Sequence, residues 1–313
     1  MESKLTVSVI IPTYHPGEQF LQLMNRLQRQ TYEIEQICVI HTKTEPFPYM
    51  QIVAADKVKL IQIPPEEFDH GGTRNLGAAI TKGDIIVYMT QDAIPANRHL
   101  IGNLVKAFQE EGAGATYARQ VPAKDCSIIE RYTRYFNYPK ESRVKSETDM
   151  KELGIKTFFC SNVCAAYRRS IFESLDGFPE RAIFNEDMIF AGKIIQSGYK
   201  IVYCGEAEVV HSHNYTCVQQ LKRNFDVAVS QMEHPEIFEG IPSEKEGMKL
   251  VSQTARYLLR IGKPWLLLLL VVKSGFKYIG YFMGKRYKKL PQWMILKLSM
   301  NPGYWGNHEK THF

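Results

Sequence analysis

Several signals that would quickly fix the class of this chain are missing from it. No Gly-x-Gly-x-x-Gly follows a strand and no Walker loop occurs, so the two common phosphate-loop readings are excluded. No serine or cysteine nucleophile motif is present, which argues against covalent catalysis of the hydrolase type. There is no internal repeat and no low-complexity tract, which excludes solenoids and disordered arrays. The start, Met1-Glu-Ser-Lys-Leu-Thr, runs straight into a strand-like segment without a signal-peptide pattern. Long apolar runs are scarce: Trp265–Val272, the main one, is about half the length a bilayer-spanning helix needs.

Cysteine is also scarce. Cys38, Cys126, Cys160, Cys164, Cys204 and Cys217 are scattered through a long chain, and free thiols rather than disulfides are the expectation. Cys160, Cys164, Cys204, His211, His213 and Cys217 are zinc-ligating residue types. However, Cys-x-x-x-Cys is a loose spacing and no second pair matches it, so a structural zinc site is not the reading taken.

What is present is a chain of 313 residues, enough for one large domain or one with an appendage. Its charge is uneven. Residues 241–313 hold 13 Lys+Arg against 3 Asp+Glu, a balance of +10, whereas residues 1–240 hold 26 against 30, a balance of −4. A basic tail on a near-neutral body points to an anionic surface as partner of the tail. The tail mixes Lys/Arg with apolar and aromatic residues, as in Tyr278–Met283 followed by Lys285-Arg-Tyr-Lys-Lys289, which suits helices lying in a membrane interface. A helical hairpin packed on the body with a solvated lysine face is the alternative.

Strand-like and helix-like segments alternate. Val7–Ile11, Glu35–Ile40, Lys59–Ile63, Ile85–Met89 and Gly114–Arg119 read as strands, while Phe20–Gln30, a stretch within Asp69–Thr81 and His99–Glu110 read as helices. That order predicts an α/β fold with a mostly parallel sheet. Beyond it, Ser142–Gly154 reads as a polar loop and Phe158–Tyr167 has strand propensity. Asn185–Ser197 reads as a helix capped by Asn185, Lys200–Cys204 and Glu208–His211 as two short strands, and Gln219–Met232 as a helix.

The central strand Ile85–Met89 ends at Thr90-Gln91-Asp92. Open α/β sheets bind ligands at the carboxyl ends of their strands, so Asp92 stands where a ligand would sit, unless it is a turn acid. Gly71 and Gly72 precede Thr73, Arg74 and Asn75 at a helix start, where backbone N–H groups and a guanidinium can meet an anion. Glu186-Asp187 fills the first turn of another helix, which keeps a carboxylate ionised as a general base requires, or simply pairs acids with the helix dipole. His211-Ser-His213 puts two imidazoles on one face of a strand.

Over roughly residues 6–235, the order and spacing of these segments resembles glycosyltransferase family 2, with its GT-A nucleotide-sugar fold. The carrying motifs are Val-Ile-Ile-Pro-Thr-Tyr at 9–14, Met-Thr-Gln-Asp-Ala at 89–93, Asn-Glu-Asp-Met at 185–188 and the late His211. Phe68-Asp-His-Gly-Gly-Thr-Arg-Asn75 and Ser161-Asn-Val-Cys-Ala-Ala-Tyr-Arg-Arg169 are most similar to the bacterial rhamnosyltransferase branch. The resemblance implies a GT-A domain over 1–240, and the basic, apolar residues 241–313 then read as a helical, membrane-associating or acceptor-side extension.

It further implies an inverting transferase with Asp187 as base. Pro12, Thr13, Tyr14, Arg74, Gln91 and Asp92 would bind the donor, and Glu186 and Asn162 would stand on the acceptor side or behind the first contacts. Asp92 and His211 would hold Mg²⁺ or Mn²⁺. The partners implied are dTDP-L-rhamnose, a polyprenyl-linked glycan acceptor and an anionic membrane surface, with no nucleic acid. The location implied is cytoplasmic, peripheral on the inner face of the bacterial cell membrane. Two departures stand out. The family's Asp-x-Asp falls on Thr90-Gln91-Asp92, so its first acid is absent, and the acids expected after the second strand are replaced by His41-Thr42-Lys43-Thr44. Transfer of another hexose from a UDP-sugar, or an inactive glycan-binding or scaffold protein, are the alternative readings.

Overall fold

A computed structural model describes residues 4–241 and 244–308. Met1–Ser3, which enter the reading of the start, and Pro242–Ser243 and residues 309–313 of the basic tail lie outside the described residues. The strands are β1 (Val7–Thr13), β2 (Gln36–Thr42), β3 (Val58–Ile63), β4 (Ile85–Met89), β5 (Ile94–Pro95), β6 (Ala113–Val121), β7 (Arg143–Lys145), β8 (Cys164–Arg168) and β9 (Lys200–Val210). Helices of ten residues or more, among the described residues, are α1 (Glu18–Leu27), α2 (His70–Ala79), α3 (Ile128–Asn137), α4 (Glu186–Gln196), α5 (Cys217–Glu233), α6 (Glu244–Arg260) and α7 (Leu266–Gly284).

The chain divides into two compact units. The first comprises Met1–Ala123, Tyr138–Glu180 and Glu186–Ser212, and the second Lys124–Asn137, Arg181–Asn185 and His213–Phe313. All nine strands belong to the first unit, in the order β3-β2-β1-β4-β8-β6-β9-β5, with β7 pairing β9. Pairings β1–β2, β2–β3, β1–β4 and β6–β9 are parallel, and the other four antiparallel. The sheet is therefore mixed. Its parallel half is the one that the alternating segments foretell, and β8 enters antiparallel between β4 and β6.

Both faces of the central strands are covered, which is why they read as unbroken apolar runs. Val7, Val9 and Ile11 pack with Phe20, Leu23, Met24 and Leu27 of α1. An aromatic cluster of Tyr88, Tyr167, Phe172, Phe178 and Phe190 fills another part of the core, with ring centroids 5.0–6.0 Å apart. Asp69 caps α2, its carboxylate accepting from Gly72 N at 2.6 Å. Gly71 has to be glycine, because a Cβ there would lie 1.9 Å from the Pro179 carbonyl oxygen.

Three local readings are corrected. Lys200–Cys204 and Glu208–His211 form one strand, β9, whose register against β6 shifts between Cys204 and Glu208. Ser142–Gly154 carries β7 and helical turns rather than a bare loop. Asn185 has φ 62°, a left-handed conformation that asparagine tolerates, instead of the extended backbone of an N-cap, and its amide reaches the Val227 carbonyl at 3.5 Å.

The second unit is helical. Ile183, Phe225, Val229, Ile295 and Trp305 form one of its cores, and Ile129, Leu258 and Leu270 another. Tyr132 of α3 stacks on Tyr257 of α6 with centroids 4.5 Å apart. α5 and α7 approach closely at Gly280, where a Cβ would lie 2.1 Å from the Leu221 carbonyl oxygen. The apolar patches 265–272 and 278–283, separate in the sequence reading, are parts of the single 19-residue α7.

Candidate active site

The carboxyl ends of β1, β2 and β4 lie side by side, because β1 pairs in parallel with both neighbours. Pro12 and Thr13 stand opposite Ile40 and His41 in that register. Thr13 Oγ1 lies 3.2 Å from His41 Nδ1, while His41 Nε2 is buried with no hydrogen-bond partner among the described residues. At the neighbouring strand end, Gln91 makes a two-way amide pair with the backbone of Tyr14: it accepts from Tyr14 N and donates to Tyr14 O, both at 2.9 Å. The Tyr14 ring is left exposed. Thr90, at the position of the missing acid, buries its hydroxyl without a partner among the described residues.

Asp92 follows. Its Oδ2 is 3.5 Å from His211 Nε2. His211 sits just past β9, and its Nδ1 is 2.9 Å from Gln120 Oε1. Gln120 Nε2 donates to Tyr138 Oη at 2.6 Å and Ser161 Oγ at 3.1 Å, which fixes its Oε1 as an acceptor. Nδ1 of His211 therefore donates to Gln120 Oε1, and Nε2 faces the carboxylate. A carboxylate oxygen and an imidazole nitrogen, two atom types that ligate divalent cations, converge here. An orienting hydrogen bond on the far ring nitrogen is the usual companion of a metal-ligating histidine. One carboxylate oxygen and one imidazole nitrogen form a donor set that can take a divalent cation, with further positions left for water or phosphate oxygens. His213 lies two residues on in the chain and begins the second unit.

The two acids at the start of α4 gather on Asn162. Glu186 Oε1 accepts from Asn162 Nδ2 at 3.2 Å and lies 3.3 Å from Arg74 Nη1, a buried ion pair. Asp187 Oδ2 accepts from Asn162 N at 3.0 Å, and its Oδ1 from Met188 N at 2.8 Å. Asn162 is itself held by Tyr167, whose hydroxyl donates to Asn162 Oδ1 at 2.9 Å.

The adjacent acids are driven apart electrostatically. Burial pushes Glu186 up, but the Arg74 guanidinium, then His70 and Asn162, overcome it and hold the carboxyl below its ordinary value. Asp187 is raised, first by burial and then by the negative charge of Glu186, against the two backbone N–H donors. Two carboxyls with opposite shifts are what a fixed charge beside a proton-accepting group requires.

Thus the sites named from sequence separate into groups. Asp92 stands with His211, Gln91 with Tyr14, and Arg74 with Glu186, Asn162 and Asp187. Gln120, Tyr138 and Tyr167 escaped the sequence reading, because their roles come from pairing across strands far apart in the chain.

Residues 8–176 match the family described as glycosyl transferase family 2. The chain is 40% identical over 311 residues to the O-antigen chain rhamnosyltransferase RfbN of Salmonella typhimurium, covering 97% of each. It is 38% identical over 305 residues to the O-antigen chain rhamnosyltransferase WbaN of Salmonella anatum, covering 96% of each. In fold it is similar to the mannosyltransferase PcManGT from Pyrobaculum calidifontis in complex with GDP-Man and Mn²⁺. That match has a TM-score of 0.59 and 15% identity, over 99% of this chain and 89% of that one. It is also similar to S. aureus TarS 1–349 in complex with UDP-GlcNAc, with a TM-score of 0.52 and 15% identity, over 91% of this chain and 92% of that one. The fold is GT-A, and the chain, a glycosyltransferase, belongs to glycosyl transferase family 2.

Proposed function

We propose that the protein transfers L-rhamnose from dTDP-L-rhamnose, with inversion at the anomeric carbon, to a polyprenyl-linked O-antigen precursor at the cytoplasmic face of the membrane. The observation that carries the donor and product class is the near full-length identity of 40% to an O-antigen chain rhamnosyltransferase. The acids and amides of the first unit support the transfer chemistry.

Asp187 takes the proton from the acceptor hydroxyl as that oxygen attacks the anomeric carbon. Its raised affinity for a proton makes it a stronger base than an ordinary aspartate. Asn162 aims its carboxylate through a backbone N–H. Glu186 remains charged against Arg74, which leaves Asp187 as the carboxyl that takes the proton. Pro12, Thr13 and Tyr14 line the nucleotide side, with Gln91 holding the Tyr14 backbone in place. Asp92 and His211 would hold the divalent cation, which when bound neutralises charge on the departing diphosphate.

Residues 241–313 form the membrane and acceptor side in this reading. α7 is long and apolar enough to cross a membrane by length and composition, with mean hydropathy 1.5 and only 11% of its most apolar window buried. Its flanking lysines and arginines and the cationic balance of the segment favour a helix lying on an anionic surface. Thr90 in place of the family's first acid is the one observation that favours an inactive glycan-binding member.

The test is product formation on a lipid-linked acceptor, with Mg²⁺, from dTDP-L-rhamnose, UDP-glucose, UDP-galactose and UDP-N-acetylglucosamine in parallel. Rhamnosylated product from the first donor is expected. Turnover of a UDP-sugar alone would replace the donor assignment, and donor binding without any transfer would establish the inactive reading.

A further inference from the structure

α7 buries Leu270, yet it also presents an apolar face to the outside. Leu268 is 73% exposed and Val271 65%, Ile279 and Phe282 are also exposed, and so is Trp265 just before the helix. Its lysines Lys273 and Lys277, one helical turn apart, instead line a cavity of 590 Å³. That volume is within the range of ligand pockets, about 300–1,000 Å³. The cavity lies entirely in the second unit, between α3, α5, α6 and α7. Val251, Ala255 and Leu270 give it an apolar wall.

Its charge is one-sided. Arg223, Lys273 and Arg134 are all close enough to act on Lys277, with Glu130 as the opposing acid among the groups that do so. Glu130 already pairs with Arg134 at 2.7 Å. Burial holds the Lys277 ammonium below its ordinary value, against the pull of Glu130. An apolar slot with excess cations, beneath a helix whose outer face is apolar, calls for an anion attached to a chain.

We propose that this cavity binds a lipid phosphate, with the apolar chain against Val251, Ala255 and Leu270 and the phosphate oxygens on Lys273 and Lys277. This is the lipid-binding part of the acceptor site, and it rests on the function proposed above only for the glycan that the lipid carries.

The probe is farnesyl diphosphate, titrated calorimetrically into the full chain without any sugar donor, beside inorganic diphosphate and farnesol alone. Farnesyl diphosphate should bind at least tenfold tighter than either fragment. Lys277→Gln should weaken it at least tenfold. Val251→Trp, which fills the slot, should weaken farnesyl diphosphate while leaving inorganic diphosphate unchanged. Thermal unfolding of both variants checks that they are folded, and Lys273→Gln serves in place of either one that is not. Equal binding of farnesyl and inorganic diphosphate, or wild-type affinity in the folded variants, would overturn the proposal. Because no donor is present, a wrong donor assignment leaves this outcome unchanged.

Discussion

α1 in the first unit and α7 in the second are both regular helices, but they sort their residues differently. α1 buries Phe20, Leu23, Met24 and Leu27 and exposes Glu18, Gln22 and Arg26. α7 exposes leucines, valines and Phe282, and turns Lys273 and Lys277 inward. The first pattern is what water outside and a core inside dictate. The second is stable where the outside is itself apolar. The difference fits the function proposed above, in which the first unit handles the nucleotide sugar and the second meets lipid.

The largest effect is expected in the first unit. Asp92→Asn removes the charged partner of His211 and should lower turnover by about 10³-fold, several kcal/mol of transition-state stabilisation, with the fold intact. Near wild-type turnover at saturating donor would remove the metal role. Next is Arg74, which stands by Glu186 with both side chains under a tenth exposed. Arg74→Met should cost about 3–5 kcal/mol of stability, because it strands a buried carboxylate. Urea unfolding measures it. Unchanged stability with weakened donor binding would instead place Arg74 in the donor pocket.

The second unit should respond differently. Leu268→Glu with Val271→Glu should reduce sedimentation with anionic liposomes at least tenfold, since burying one such side chain is worth about 1.5–3 kcal/mol. The unfolding curve should not move, because both side chains are exposed. Retained liposome binding would make α7 a packing element and erase the contrast with α1.

The gentlest perturbation is that of pH. The carboxyl of Asp187 is raised to about 7, so transfer should fall about tenfold per pH unit below that value as the base becomes protonated. The stability contribution has the opposite sense. A group whose folded value is raised stabilises the fold below its unfolded value, and that contribution is lost as pH rises through about 7. A rate profile flat from pH 5 to 8 would argue against Asp187 as the titrating group.

The sequence disclosed what depends on local pattern. The run Ile85–Met89 is β4 to the residue, and α1 follows its apolar spacing. It hid what depends on pairing at a distance. The bulge in β9 breaks the alternation that would have joined its halves, and β7 is too short and polar to read as a strand. Asp92, His211 and Asp187 were legible because each follows or begins an element. Their supports, Gln120 and Tyr167, lie on β6 and β8, where only the sheet order brings them to the site. The cavity lined by Lys273 and Lys277 was hidden as well, since it forms only when α3, α5, α6 and α7 pack together.

The central claim is that Asp187 is the base while the donor is held elsewhere in the first unit. The direct measurement is Asp187→Asn, with dTDP-L-rhamnose binding followed by calorimetry and transfer by product formation. Transfer should drop about 10²–10⁴-fold with donor affinity within about twofold of wild type. Transfer within about tenfold of wild type, or loss of donor binding, would contradict it.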